Sequence, residues 1–224
     1  MLEIIRVTKR YPDNGRTGGV HVLENFSLTV RDGETVALTG ESGCGKSTLA
    51  RLICGFEKPT AGSIHWDGKN VLALARNRTL YRHIQPVFQD NLNCFDPRQR
   101  IKKSLCEPLR QYYRFSEKEC MVRLAPLLET ADIPAYLLEK YPHELSGGQQ
   151  KRICIIRALS IEPKLTVLDE AAAGLDPTVM LHILKLLKRL QKERQCAYLF
   201  ITHDLQAAAF MTEGGGKIIG LKAT

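Results

Sequence analysis

The stretch Gly40-Glu41-Ser42-Gly43-Cys44-Gly45-Lys46-Ser47, followed by Thr48, has the spacing G-x-x-x-x-G-K-[ST]. Glycines at these places let the backbone wrap a phosphate chain with its N–H groups inward. Lys46 would reach the β- and γ-phosphates, and the Ser47 hydroxyl would bind Mg²⁺. The flanks suit the motif. Residues 35–39 are short, apolar and β-branched, which reads as a buried strand, and Leu49, Leu52, Ile53 and Phe56 recur at helical spacing over 47–56. A helix start placed there adds unpaired donors and a positive dipole end. At average residue frequencies a chance match arises in roughly one chain in a hundred of this length, and the correct flanks make it rarer.

Other candidates become meaningful beside a phosphate loop. Asp169-Glu170 follows the apolar run 165–168, and an acidic residue at such a strand end is where Mg²⁺ is usually held. Gln89 ends a second short apolar run, 84–88, where its carbonyl oxygen could meet Mg²⁺ or hold a water. Tyr11 precedes the loop and could stack on a purine, with a surface tyrosine equally consistent. His203 follows the run 197–201; a lone histidine there is more often structural. Ser146-Gly147-Gly148-Gln149 has the capping-box pattern of a helix start, with Ile153, Ile156 and Leu159 on one face behind it. Two adjacent glycines at a helix N-terminus weaken the helix and make sense where backbone approaches an anion closely. A second phosphate-seeking helix end in a chain that already has one suggests two chains sharing a nucleotide.

The positioning elements follow from periodicity. Strands are expected at 2–7, 21–31, 35–39, 63–66, 84–88, 165–168 and 197–201, with Asp32-Gly33 as a hairpin turn and residues 8–20 as a polar excursion. His65 and Trp66 read as an edge-strand pair. Between 91 and 160 the pattern turns helical, at 101–113, 117–130 and 135–141, interrupted by Pro97, Pro108, Pro126, Pro134 and Pro142. Residues 177–194 form an amphipathic helix with Val179, Ile183, Leu187 and Leu190 inward. The 224 residues are 44% hydrophobic and 25% charged, an ordinary globular composition. No apolar run reaches the length of a membrane span, and no secretory signal is expected at the N-terminus. Seven cysteines without a Cys-x-x-Cys pair argue for reduced thiols rather than a disulfide framework or a zinc site. The net charge of +8 could serve nucleic acid or an anionic membrane face, but it is spread without a basic block, so charge alone decides nothing, and no nucleic-acid partner is expected.

Leu145-Ser146-Gly147-Gly148-Gln149 after a phosphate loop resembles the signature of the ATP-binding cassette family, and the resemblance extends over residues 2–219. It implies an α/β fold, that of a P-loop NTPase: a mixed sheet with N-terminal antiparallel strands and an inserted helical subdomain. It also implies one domain over 1–224, with 1–90 and 161–224 as core and 91–160 as the helical subdomain. ATP and Mg²⁺ are the implied cofactors, with Asp169, Ser47 and Gln89 on the metal, Glu170 polarising the attacking water and His203 contacting the γ-phosphate. Ser146, Gly147, Gly148 and Gln149 of one subunit would close over the γ-phosphate held by another. Leu175 and Asp176 match the family's inter-subunit loop, but Ala173 stands where it usually has serine. After the histidine, about one strand of the family pattern is expected to be absent. The forms Val87-Phe88-Gln89-Asp90, Asn93-Cys94-Phe95-Asp96-Pro97-Arg98 and Tyr141-Pro142-His143-Glu144 look like the nickel and oligopeptide importer branch. That branch implies a second ATPase subunit, two membrane permease subunits, an external binding protein, and a place at the cytoplasmic face of the membrane. The rival readings are a soluble ATPase of the same family acting on ribosomes or DNA, and a regulatory cassette with a degenerate site.

Overall fold

Runs of apolar residues too short for helices become strands when both their faces are covered. The computed structural model describes residues 1–12, 20–88 and 94–222. Its first strands are β1 (Leu2–Tyr11), β2 (Val20–Val30) and β3 (Thr35–Thr39), followed by α1 (Lys46–Ile53). Next come β4 (Ala61–Trp66), β5 (Lys69–Asn70), α2 (Val71–Arg76), α3 (Leu80–His83) and β6 (Ile84–Val87). The helical stretch holds α4 (Ile101–Tyr113), α5 (Glu117–Thr130), 3-10 turns at Ala135–Glu139 and Pro142–Glu144, and α6 (Gly147–Leu159). The chain continues through β7 (Leu165–Asp169), α7 (Pro177–Arg194), β8 (Ala197–Ile201), α8 (Leu205–Thr212) and β9 (Lys217–Gly220).

The strands form two sheets. One is antiparallel, in the order β2-β1-β4-β5, and the other is parallel, in the order β6-β7-β8-β3-β9. Every residue of β3, β7 and β8 is buried. Alternation along these strands divides the core. Val36, Leu38, Val167, Leu199 and Ile201 pack with α1 and the antiparallel sheet, whereas Ala37, Leu168, Tyr198 and Phe200 pack with the helices from α4 to α8. The parallel sheet is therefore a layer between two covers, and its loops can emerge only at its ends.

Several local expectations change. The polar residues Thr8-Lys9-Arg10 stay in β1 because Lys9 and Arg10 pair with Leu23 and His21 on β2 while Thr8 pairs with Ala61 on β4, across register shifts. Asp32-Gly33 is not a hairpin turn: β2 and β3 belong to different sheets, and the turn carries the chain from one to the other. β4 is covered by β1 on one side and by two-residue β5 on the other, and Trp66 is buried. Residues 217–220 form a parallel strand beside β3, reached through α8. Among the described residues, no helix is long and apolar enough to cross a membrane.

Pro108 and Pro126 lie inside α4 and α5 rather than between helices. A proline removes the N–H that the carbonyl four residues earlier would accept. For Pro108 that carbonyl belongs to Ser104, which is buried, and the Arg157 side chain on α6 supplies the donor instead, Nε to O 3.1 Å. The same guanidinium donates to Glu107 at 2.7 Å. Sequence proximity hides this repair, because the donor comes from another helix. Arg157→Met is expected to leave the Ser104 carbonyl without its partner and cost about 1–2 kcal/mol in urea unfolding. An unchanged midpoint would show that the pairing carries no weight.

Candidate active site

In parallel sheets, loops leaving the carboxyl ends of the strands meet at one edge. Here Thr202 N–H donates to the Leu38 carbonyl at 3.1 Å, and Glu170 N–H donates to the Ile201 carbonyl at 3.0 Å. These bonds tie the exits of β3, β8 and β7 together. Residues distant in sequence, Gly40 to Thr48, Asp169-Glu170 and His203, thereby share one edge. Ser42, Gly43, Gly45, Lys46, Ser47 and Thr48 line a cleft of about 340 Å³ together with Glu170, His203 and Val22.

The loop is held in a shape only glycine permits at its closest point. Gly45 has φ +98°, and a Cβ there would come within 2.6 Å of the Val22 carbonyl oxygen. α1 begins directly after it with no side-chain cap, so its first N–H groups are left for a ligand. The Lys46 ammonium is largely buried and donates to the carbonyls of Gly40 at 2.8 Å and Glu41 at 2.7 Å. Cys44 is buried beneath the loop, with its Sγ 3.8 Å from Lys46 Nζ. That burial keeps bulky thiol reagents from it.

Asp169 ends β7 with its carboxylate buried, hydrogen-bonded with Ser47, and one oxygen, Oδ1, has no partner. Burial raises its pKa and Glu170 adds to the effect, against the opposing pull of Ser47, Arg51 and Lys46. A buried carboxylate oxygen without a donor beside a serine hydroxyl fits a hard cation with oxygen ligands. Glu170 adopts φ +52°, and its carbonyl accepts from Lys151 Nζ at 3.2 Å and Ala173 N–H at 3.0 Å. His203 Nδ1 lies 2.9 and 3.1 Å from the two Glu170 carboxylate oxygens, so the tautomer protonated there donates to the carboxylate. The histidine side chain is 68% exposed and that of the glutamate 13%, which places the pair at the cleft's mouth.

The remaining candidates lie elsewhere. Ser146 accepts from Gln149 N–H at 3.3 Å and Gln149 Oε1 accepts from Ser146 N–H at 3.0 Å, so α6 carries its own cap. Gly147, Gly148 and this cap do not line the cleft of their own chain. Gly148 has a packing role too, since a Cβ there would meet Val179 Cγ1 at 2.8 Å. Asp176 is the exposed N-terminal boundary residue of α7. Tyr11 donates its hydroxyl to Glu57 at 2.6 Å and carries Lys9 over its ring at 4.7 Å, away from the cleft lining. Gln89 lies outside the described residues. The residues missed by sequence reasoning are Val22 and Lys151. Neither sits in a motif, and each reaches the site through tertiary packing.

A family model described as ABC transporter matches residues 23–173. The chain belongs to the ABC transporter family. It is 45% identical over 195 residues to the nickel import ATP-binding protein NikE of Escherichia coli (strain K12), covering 86% of this chain and 73% of that protein. The NikE of Shigella dysenteriae serotype 1 is 43% identical over 211 residues, covering 92% and 79%. Among solved structures, the ATP-binding cassette MJ0796 in a dimeric post-hydrolysis state bound to ADP and Pi superposes with TM-score 0.87 at 32% identity, covering 100% of this chain and 95% of that one. CbiO1 from Clostridium perfringens, part of the ABC transporter complex cbiONQ, gives TM-score 0.84 at 30% identity, covering 99% and 84%. The chain is thus an ATP-binding ABC ATPase.

The raised pKa of Asp169 has a consequence for stability. An acid whose folded pKa lies above its unfolded value stabilises the fold below the unfolded pKa and loses that contribution as pH rises through the folded one. At neutral pH the ionised Asp169 therefore opposes folding of the nucleotide-free ABC ATPase. Asp169→Asn is expected to unfold at higher urea than the wild type at pH 7.5, with the difference shrinking towards acid pH. A lower midpoint at pH 7.5 would contradict this assignment of the carboxylate.

Proposed function

We propose that the chain is the ATP-hydrolysing subunit of a bacterial importer, coupling ATP turnover to uptake of nickel or a nickel chelate. The observation that carries the catalytic part is the Glu170–His203 pair facing Lys46 and Ser47 across one cleft. The nickel assignment is supported by the similarity to the nickel import ATP-binding proteins NikE. Phosphoryl transfer needs mainly positioning and charge stabilisation. Lys46 leaves its carbonyl partners to meet the phosphates, and the uncapped N–H groups of α1 complete the cradle. Glu170, held at its carbonyl by Lys151 and Ala173, polarises the attacking water, and His203 holds the carboxylate until the γ-phosphate arrives. Ser47 and Asp169 would hold Mg²⁺, with Gln89 as a third ligand; when bound, the ion neutralises charge on the β- and γ-phosphate oxygens. Tyr11, whose hydroxyl is held by Glu57, would meet the adenine only where the nucleotide extends beyond this cleft lining.

Turnover in this reading needs two cassettes, because Ser146-Gly147-Gly148-Gln149 and Asp176 do not line the cleft of their own chain. They serve the nucleotide of a second ATPase subunit, and closure excludes water from both sites. The membrane side is served by an aromatic patch. Phe56 is 50% exposed, with its ring 5.9 Å from Tyr81 and 6.0 Å from Phe88. Phe88 directly precedes Gln89, so a permease subunit seated on the patch would feel changes at the nucleotide. An external binding protein delivers the substrate to two such permeases, and the chain sits peripherally at the cytoplasmic face.

Glu170→Gln is expected to bind ATP with turnover reduced about 10²-fold or more. Expressed in its native cell and trapped with ATP, it should bring down two permease subunits and a second ATPase from solubilised membranes, identified by mass spectrometry. Ribosomal or DNA-bound proteins without any membrane subunit would overturn the transport reading. Phe56→Ser in the trapped protein is expected to lower permease recovery about tenfold, the scale of losing one aromatic anchor. Undiminished recovery would place the docking surface elsewhere.

A further inference from the structure

Six of the seven cysteines are buried, and Cys94 alone is half-exposed. Its side chain packs against the core cluster that includes Cys154 of α6, a thiol only 4% exposed with which it interacts. The one thiol that an oxidant can reach thus has a second thiol directly behind it. The other close pair, Cys106 and Cys120, has no exposed member. Position matters as much as proximity. Cys94 begins the described chain after residues 89–93, which include Gln89. Cys154 lies one helical turn after Lys151, whose ammonium holds the Glu170 carbonyl at 3.2 Å. Among the described residues no cluster of three or more His, Cys, Asp or Glu could hold a metal ion, so the pair does not read as a metal site.

We propose that Cys94 and Cys154 form a reversible disulfide that pins Cys94 to α6 and slows ATP turnover. The oxidant is a peroxide. The Cys94 thiolate attacks one oxygen of hydrogen peroxide, the O–O bond breaks and hydroxide leaves, giving the Cys94 sulfenic acid. The Cys154 sulfur then attacks Cys94 Sγ, the S–O bond breaks, and the departing hydroxyl leaves as water with the thiol proton. Two thiols lose two protons and two electrons, and one peroxide becomes two waters. Thiol–disulfide exchange with a dithiol reverses the link. Such bonds in a reducing compartment are transient and regulatory rather than structural. Burial and the Cys94 contact keep the Cys154 thiol protonated, so Cys94 is the first sulfur to react.

The link would tie α6 to Cys94. It would hold Lys151, and through it the backbone of Glu170, in one arrangement, while the phosphate loop on β3 and α1 is left alone. The effect is therefore on turnover and not on ATP binding.

The regulatory half rests on the ATPase reading, so the turnover of the fully reduced chain assembled with its second ATPase subunit is measured first; its absence in that assembly would count against that reading. The full chain is then treated with a small excess of hydrogen peroxide and digested without reductant. A linked peptide pair containing Cys94 and Cys154 is expected whatever the turnover. With it, turnover should fall at least about tenfold, the scale of a misplaced catalytic group, at unchanged ATP affinity, and return on adding dithiothreitol. Cys94→Ser and, separately, Cys154→Ala should keep their starting turnover under the same treatment. Oxidation of Cys94 to the sulfinic acid without a linked peptide would overturn the proposal. So would a linked protein with undiminished turnover, or equal loss of turnover in Cys94→Ser.

Discussion

The parallel pairing of β3, β8 and β7 is the constraint on which the site depends. Leu38 faces Ile201 and Ile201 faces Asp169 across adjacent strands, so the three exits end level with one another. The bonds from Thr202 and Glu170 extend the ladders past the strand ends. A one-residue slip of β7 would turn Asp169 away from Ser47 and exchange the residues facing the two halves of the core. The division of the core between α1 with the antiparallel sheet and the helices from α4 to α8 makes such a slip costly, because both faces are apolar.

The edge is also where local rules are broken. α2, α5, α6 and α8 carry side-chain caps, whereas α1, at the phosphate loop, starts without one, as do α3, α4 and α7. Asp169 buries a carboxylate oxygen without a donor, and Glu170 holds a left-handed φ that a non-glycine residue rarely adopts. Each departure opposes folding slightly and leaves a group ready for a ligand. Uncapped helix starts and left-handed residues occur elsewhere in the chain too; at this cleft they coincide with a buried carboxylate oxygen lacking a donor, the combination expected of a functional site.

Much of this was legible in the residues. The phosphate loop, the Asp-Glu pair, the capped Ser146 turn and the boundaries of α4, α5 and α7 follow from motif and period. The remainder depended on partners distant in the chain. Thr8 to Tyr11 look like loop until β2 and β4 flank them. Asp32-Gly33 has hairpin chemistry, and the division into two sheets makes it a crossing instead. Pro108 reads as a breaker because the donor that satisfies the Ser104 carbonyl is Arg157 on another helix. Cys44 sits in a motif that faces a ligand, yet its side chain lies beneath the loop. Val22 and Lys151 carry no signal of their own.

The central claim is that the edge formed by these strands binds ATP through Lys46 and holds its metal through Asp169 and Ser47. The most direct measurement is the affinity for a fluorescent ATP derivative with Mg²⁺ and with EDTA, in the wild type and in Asp169→Asn. The account predicts that Mg²⁺ tightens binding in the wild type and that this gain is lost in Asp169→Asn. Equal metal dependence in both proteins would contradict it.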